Sequence, residues 1–136
     1  MALYWDQCQV NITNNTTSPM TYSSSSTSDG FLIDNPGNIG AGPGATGSFK
    51  GSSSSGNASD GCAGTVTYSL TDGTLVNVNY KTSYYYGPSN NSSYTCGFQG
   101  PRGNLYTNKT NSVDTQGSNG GAGKRVTWTL SVDYVT

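Results

Sequence analysis

The closing segment Arg125 to Tyr134, RVTWTLSVDY, constrains the fold more than any other stretch. Val126, Trp128, Leu130, Val132 and Tyr134 fall on one side, and Arg125, Thr127, Thr129, Ser131 and Asp133 on the other. Successive side chains of a strand point to opposite faces, whereas a helix would scatter these apolar residues around its axis. The segment therefore predicts a central strand with one face in a core. Elsewhere no apolar residues recur at helical spacing, so little or no helix is expected.

The next clearest pattern is a hairpin inside Gly61 to Pro88. Val66, Tyr68 and Leu70 alternate with Thr65, Thr67 and Ser69. Asp72-Gly73 offers the positive backbone angles of a tight turn, and Val76, Val78 and Tyr80 alternate with Asn77 and Asn79 on the return. Tyr84, Tyr85 and Tyr86 then stand consecutively before Gly87-Pro88. Three adjacent rings on extended backbone cannot all enter one core, so at least one is expected at the surface.

Other strands are shorter. Tyr4 to Thr13 sets Asp6, Cys8, Val10 and Ile12 on one side. Met20 to Tyr22, Thr46 to Lys50, Ser93 to Phe98 and Asn104 to Thr107 are further candidates, and Phe31 to Ile33 is a short apolar segment. Ser23 to Asp29 reads as a serine run with nothing to bury, and Asn35 to Gly47, Gly51 to Gly61 and Asn108 to Gly123 as loops. The glycines of the first loop lack the flanking strand, helix and Lys-Ser/Thr that a phosphate cradle needs. Many short strands joined by Gly and Ser turns predict an all-β, single-domain antiparallel β-sandwich over residues 1–136.

Composition narrows the function. Only 10% of residues are charged and the net charge is −1, so no basic field attracts nucleic acid. Histidine and Glu are both absent, which removes the usual proton-transfer side chain near neutral pH and the commonest nitrogen ligand for metals. The only close acid sets, Asp29 with Asp34 and Asp60 with Asp72, lie at turns, where Asp caps its own backbone. No enzyme, cofactor or metal site is expected. Cys8, Cys62 and Cys96 are widely spaced; one disulfide plus one free thiol fits the count, but buried strand thiols are the expectation adopted. The start, MALYWDQCQVNIT, carries charge and amides where a secretory leader needs an apolar run. A soluble, leaderless chain, cytoplasmic or non-classically secreted, is expected, and the recurrent Asn sequons are read as incidental.

Four stretches carry a family resemblance: Val10-Asn11-Ile12-Thr13-Asn14-Asn15, Gly40 to Phe49 ahead of a strand, Gly64-Thr65-Val66-Thr67-Tyr68 within Gly61 to Leu70, and the aromatic, Gly, Asn order from Tyr80 through Gly87 to Asn91. In these the chain resembles the aegerolysins, small acidic β-sandwich proteins whose fold is similar to that of the actinoporin cytolysins. Tyr80 and Tyr84 to Tyr86 stand where that family carries tryptophan. The resemblance implies a membrane-lipid binder, often a recogniser of sphingolipid, that acts as a cytolysin alone or with a second, pore-forming protein.

Three functions are open at this point. In the first, Tyr84, Tyr85, Tyr86, Tyr94 and Phe98 form an aromatic edge that engages a lipid surface, since tyrosine rings favour the membrane interface. The competing reading packs those rings over the strands as partly buried pairs. In the second, a lectin, the rings stack on a sugar while Asn90, Asn91 and Asp72 bond its hydroxyls. In the third, the domain self-assembles through strand edges. The sequence carries no signal of oligomeric state.

Overall fold

The computed structural model describes residues 6–53, 61–82, 92–116 and 125–136. Ten strands account for most of them: β1 Gln7–Asn14, β2 Thr21–Asp29, β3 Phe31–Asp34, β4 Ala45–Ser52, β5 Cys62–Ser69, β6 Leu75–Thr82, β7 Ser93–Gln99, β8 Tyr106–Thr107, β9 Asn111–Gln116 and β10 Arg125–Tyr134. The described residues hold no α-helix, and a three-residue 3-10 helix, Gly103–Leu105, precedes β8. The strands form two sheets packed as a sandwich. The first runs β3-β4-β1-β10, with β8 and β9 sharing the far edge of β10; the second runs β2-β5-β6-β7.

β10 lies inside its sheet, as its alternation predicts. Val126, Trp128, Leu130 and Val132 are buried and face Val66, Tyr68, Val76, Val78 and Tyr80 of the opposite sheet within one core. Its outward residues Ser131 and Asp133 are buried too, because 108–110 fold back over them: Thr110 N–H donates to Ser131 Oγ at 2.9 Å and Lys109 N–H to Asp133 Oδ2 at 3.0 Å. β10 pairs in parallel with β1, while every other strand pair is antiparallel among the described residues.

The hairpin forms from β5 and β6, with Val66 opposite Val78 and Tyr68 opposite Val76. Its turn differs from expectation. Gly73 alone takes a positive φ, 89°; Gly73 N–H donates to the Leu70 carbonyl at 3.0 Å and Leu70 N–H to that of Thr74 at 2.8 Å. This is a three-residue loop, Thr71 to Gly73, in which Asp72 keeps an ordinary backbone and its Oδ1 accepts from Thr74 N–H at 3.0 Å.

Two segments read as loops are strands. The serine run is most of β2, an edge strand exposed along nearly its whole length and held by backbone pairing to β5. Part of 108–123 is β9, which pairs with β10. The cysteine expectation is also corrected: Cys8 and Cys62, both fully buried, form a disulfide with Cα atoms 6.4 Å apart, which joins β1 of one sheet to β5 of the other. Cys96 is the free thiol.

Candidate functional site

The disulfide fixes the start of β1 against the start of β5. Because β10 runs parallel to β1 and β6 antiparallel to β5, the start of β10, the end of β6 and the start of β7 share that end of the sandwich. The opposite end carries the Thr71 to Gly73 loop, the end of β7 and the end of β10.

Of the residues singled out from sequence, Tyr84, Tyr85, Tyr86, Asn90 and Asn91 lie outside the described residues. Tyr94 and Phe98 project from the inward face of β7, both half-buried. Tyr94 belongs to the disulfide end. Its ring lies 6.3 Å from that of Trp128, and its hydroxyl donates to Asn108 Oδ1 at 3.1 Å. Burial, with the neighbouring Cys96, raises its pKa. Phe98 belongs to the opposite end, in a stack with Tyr106 at 5.9 Å, which in turn stacks on Tyr134 at 5.6 Å. Asp72 joins this second group by accepting a hydrogen bond from the Tyr106 hydroxyl at 2.7 Å. The structure thus divides the described members of the set, placing Tyr94 at one end of β7 and Phe98 with Asp72 at the other.

The titratable groups here keep their ordinary charge states. Burial and the Asp72 hydrogen bond push the Tyr106 hydroxyl up to about 12, so it stays protonated. Burial and the Asp133 charge push the Cys96 thiol up to about 12, which leaves it without the thiolate that a nucleophile needs. Burial alone would raise the Asp72 pKa, but the bonds from Tyr106 and Thr74 outweigh it and the carboxyl is held below its usual range. Among the described residues no three His, Cys, Asp or Glu gather as a metal site.

Beside Tyr94, on the outer face of the second sheet, lies an open depression of about 300 Å³. Its floor is made by two cross-strand rows, Ala63–Lys81–Ser93 and Thr65–Asn79–Thr95. Short side chains at Ala63 and Ser93 leave the hollow, and Ser28, which bulges from β2 between Thr27 and Asp29, lines it from the neighbouring strand. Among the described residues of its lining Lys81 is the one that carries a charge, and none is a carboxylate. Of these floor and wall residues the sequence singles out only Thr65 and Asn79, as the residues that alternate with the apolar positions of the hairpin. The three-residue loop Thr71 to Gly73 sets the register that puts Thr65 opposite Asn79, where a two-residue Asp-Gly turn would have put Tyr80 there.

No family model matches the chain, and no curated protein matches it by sequence. Solved structures do match. The lipid binding protein Nakanori superposes with a TM-score of 0.68 at 14% identity, covering 94% of this chain and 71% of that one. RahU, solved in complex with a TRIS molecule, gives a TM-score of 0.66 at 15% identity, covering 96% of both chains. Nakanori is an aegerolysin-type protein and RahU has an aegerolysin-like fold, so the resemblance read from the sequence holds at the level of fold.

Proposed function

We propose that this protein binds a membrane lipid surface, without catalytic chemistry of its own, through the end of the sandwich that carries Tyr94. The observation that carries this reading is the fold shared over 94% of the chain with a lipid binding protein. The disulfide end adds physical support. Its outer face carries a donor-rich hollow where Lys81 is the one charged residue among the described lining, an arrangement that suits polar groups among phosphate-level headgroups. Low overall charge favours neutral or zwitterionic membranes over strongly anionic ones.

The finer expectation is a sphingolipid preference, with membrane damage caused alone or with a second, pore-forming protein. Co-sedimentation with phosphatidylcholine vesicles, with and without sphingomyelin and cholesterol, tests the binding, and dye release from the same vesicles tests the damage. Binding that rises with sphingomyelin supports the preference. Failure to sediment with any vesicle removes the lipid reading altogether.

A further inference from the structure

The outer face of the second sheet is ordered by hydrogen bonds among its own neutral side chains. Thr65 Oγ1 donates to Asn79 Oδ1 at 2.5 Å, and Asn79 Nδ2 donates to Thr95 Oγ1 at 2.9 Å. One step along, Thr67 Oγ1 donates to Asn77 Oδ1 at 2.8 Å. Gly97, opposite Asn77, has no side chain, so Asn77 Nδ2 reaches diagonally to Gln99 Oε1 at 3.1 Å. Each row fixes the direction of its amides and hydroxyls before any ligand arrives, which lowers the ordering cost of binding.

The first row leaves capacity unused. Thr95 keeps a hydroxyl proton to donate, Asn79 a second amide N–H, and Thr65 lone pairs to accept. These groups floor the hollow of about 300 Å³, with Lys81 as a further donor. The fit of possible guests differs sharply. An apolar guest would strand donors and acceptors that water now serves. A doubly charged anion would meet a single cation among the described residues, with Asp29 opposite Ala63 on β2. A polyhydroxyl guest both donates and accepts at every oxygen and matches the mixed set. Gly64, between the two rows, faces the other way: a Cβ there would meet the Ser26 carbonyl at 2.5 Å and the Tyr80 hydroxyl at 2.7 Å, so the strand beneath the hollow lies close against the buried Tyr80.

We propose that this hollow binds the hydroxyls of a neutral sugar ring, resting on Thr65, Asn79 and Thr95 with Lys81 and Ser28 at its sides, in a space that holds roughly one ring. The sugar is either a free glycan or the headgroup of a glycolipid, and the inference rests on the membrane reading only in the second case.

The test uses the whole protein against a panel of neutral glycans, phosphatidylcholine vesicles, and the same vesicles containing galactosylceramide. It compares the wild type with Asn79→Ala and with Thr95→Val, which keeps the side-chain shape, and records melting temperatures for each. Saturable binding to a free glycan or to the glycolipid vesicles, weakened tenfold or more in both variants with melting nearly unchanged, supports the site and names the source. No binding to any sugar in either form overturns it, as does binding that survives both substitutions. If Asn79→Ala fails to fold, Thr95→Val decides by the same criterion. Sugar-free vesicles report on the membrane reading alone, so the two proposals fail separately.

Discussion

Asp133 shows how a single buried carboxylate ties the last strand to its surroundings. It accepts from Asn15 Nδ2 at 2.9 Å, Lys109 N–H at 3.0 Å and Ser131 Oγ at 2.5 Å. Burial by itself raises its pKa, but these bonds and the Lys109 charge prevail and the net shift is downward. A carboxyl with a lowered folded pKa contributes stability that is present above its unfolded value of about 4 and is lost as pH falls through the folded one. Unfolding midpoints followed from pH 7 to pH 3 should therefore drop at the acid end. Asp133→Asn should flatten that drop and cost about 2 kcal/mol at pH 7, because an amide cannot accept all three bonds. An unchanged acid limb in the variant would remove Asp133 from the account. Phe98, stacked on Tyr106 and half-buried, makes a different prediction: Phe98→Ala should lower stability by about 2 kcal/mol and leave lipid binding unaffected. A selective loss of vesicle binding at unchanged stability would return Phe98 to the binding edge.

At the scale of elements, the disulfide has the largest expected effect. It closes a separation of 54 residues between strands of different sheets, and a cross-link of that length removes about 4 kcal/mol of unfolded-state entropy in the chain model. Cys8→Ala with Cys62→Ala should lower the urea midpoint accordingly, and dithiothreitol should lower the wild type to the level of that double variant. A midpoint insensitive to both would mean that the bridge does not form. Nothing local in the sequence announced it, because the pairing depends on two sheets meeting at their strand starts. Strands with one buried face were legible: β10, β5, β6 and β1 all show the period of two that burial imposes. β2 and β9 were not. β2 buries almost no side chain, and the lone aliphatic residue of β9, Val113, is 59% exposed, so backbone pairing alone makes them strands and leaves no hydrophobic pattern to read. The candidate site was legible only as composition. Strand order, which the sequence does not encode locally, decides that Tyr94 and Phe98 serve opposite ends and that Thr65, Asn79 and Thr95 form one row.

For the whole molecule, the two ends of the sandwich are chemically different, and that difference predicts an orientation on a membrane. The far end is occupied by its own bonds: Asp72 with Tyr106, Tyr134 with Thr17 at 2.6 Å, and the Asp133 network. The disulfide end keeps exposed Lys81 and Ser93 beside the half-buried Tyr94. A domain that docks by this end should bring the start of β7 to the lipid and hold the end of β7 in water, since seven strand residues span about 20 Å. The measurement is an environment-sensitive fluorophore on Ser93→Cys or Gln99→Cys, each in a Cys96→Ser background, titrated with sphingomyelin-containing vesicles. The Ser93 label should shift to the blue with added lipid while the Gln99 label does not move. A blue shift confined to the Gln99 label would reverse the orientation and put the stack of Phe98, Tyr106 and Tyr134 on the membrane side.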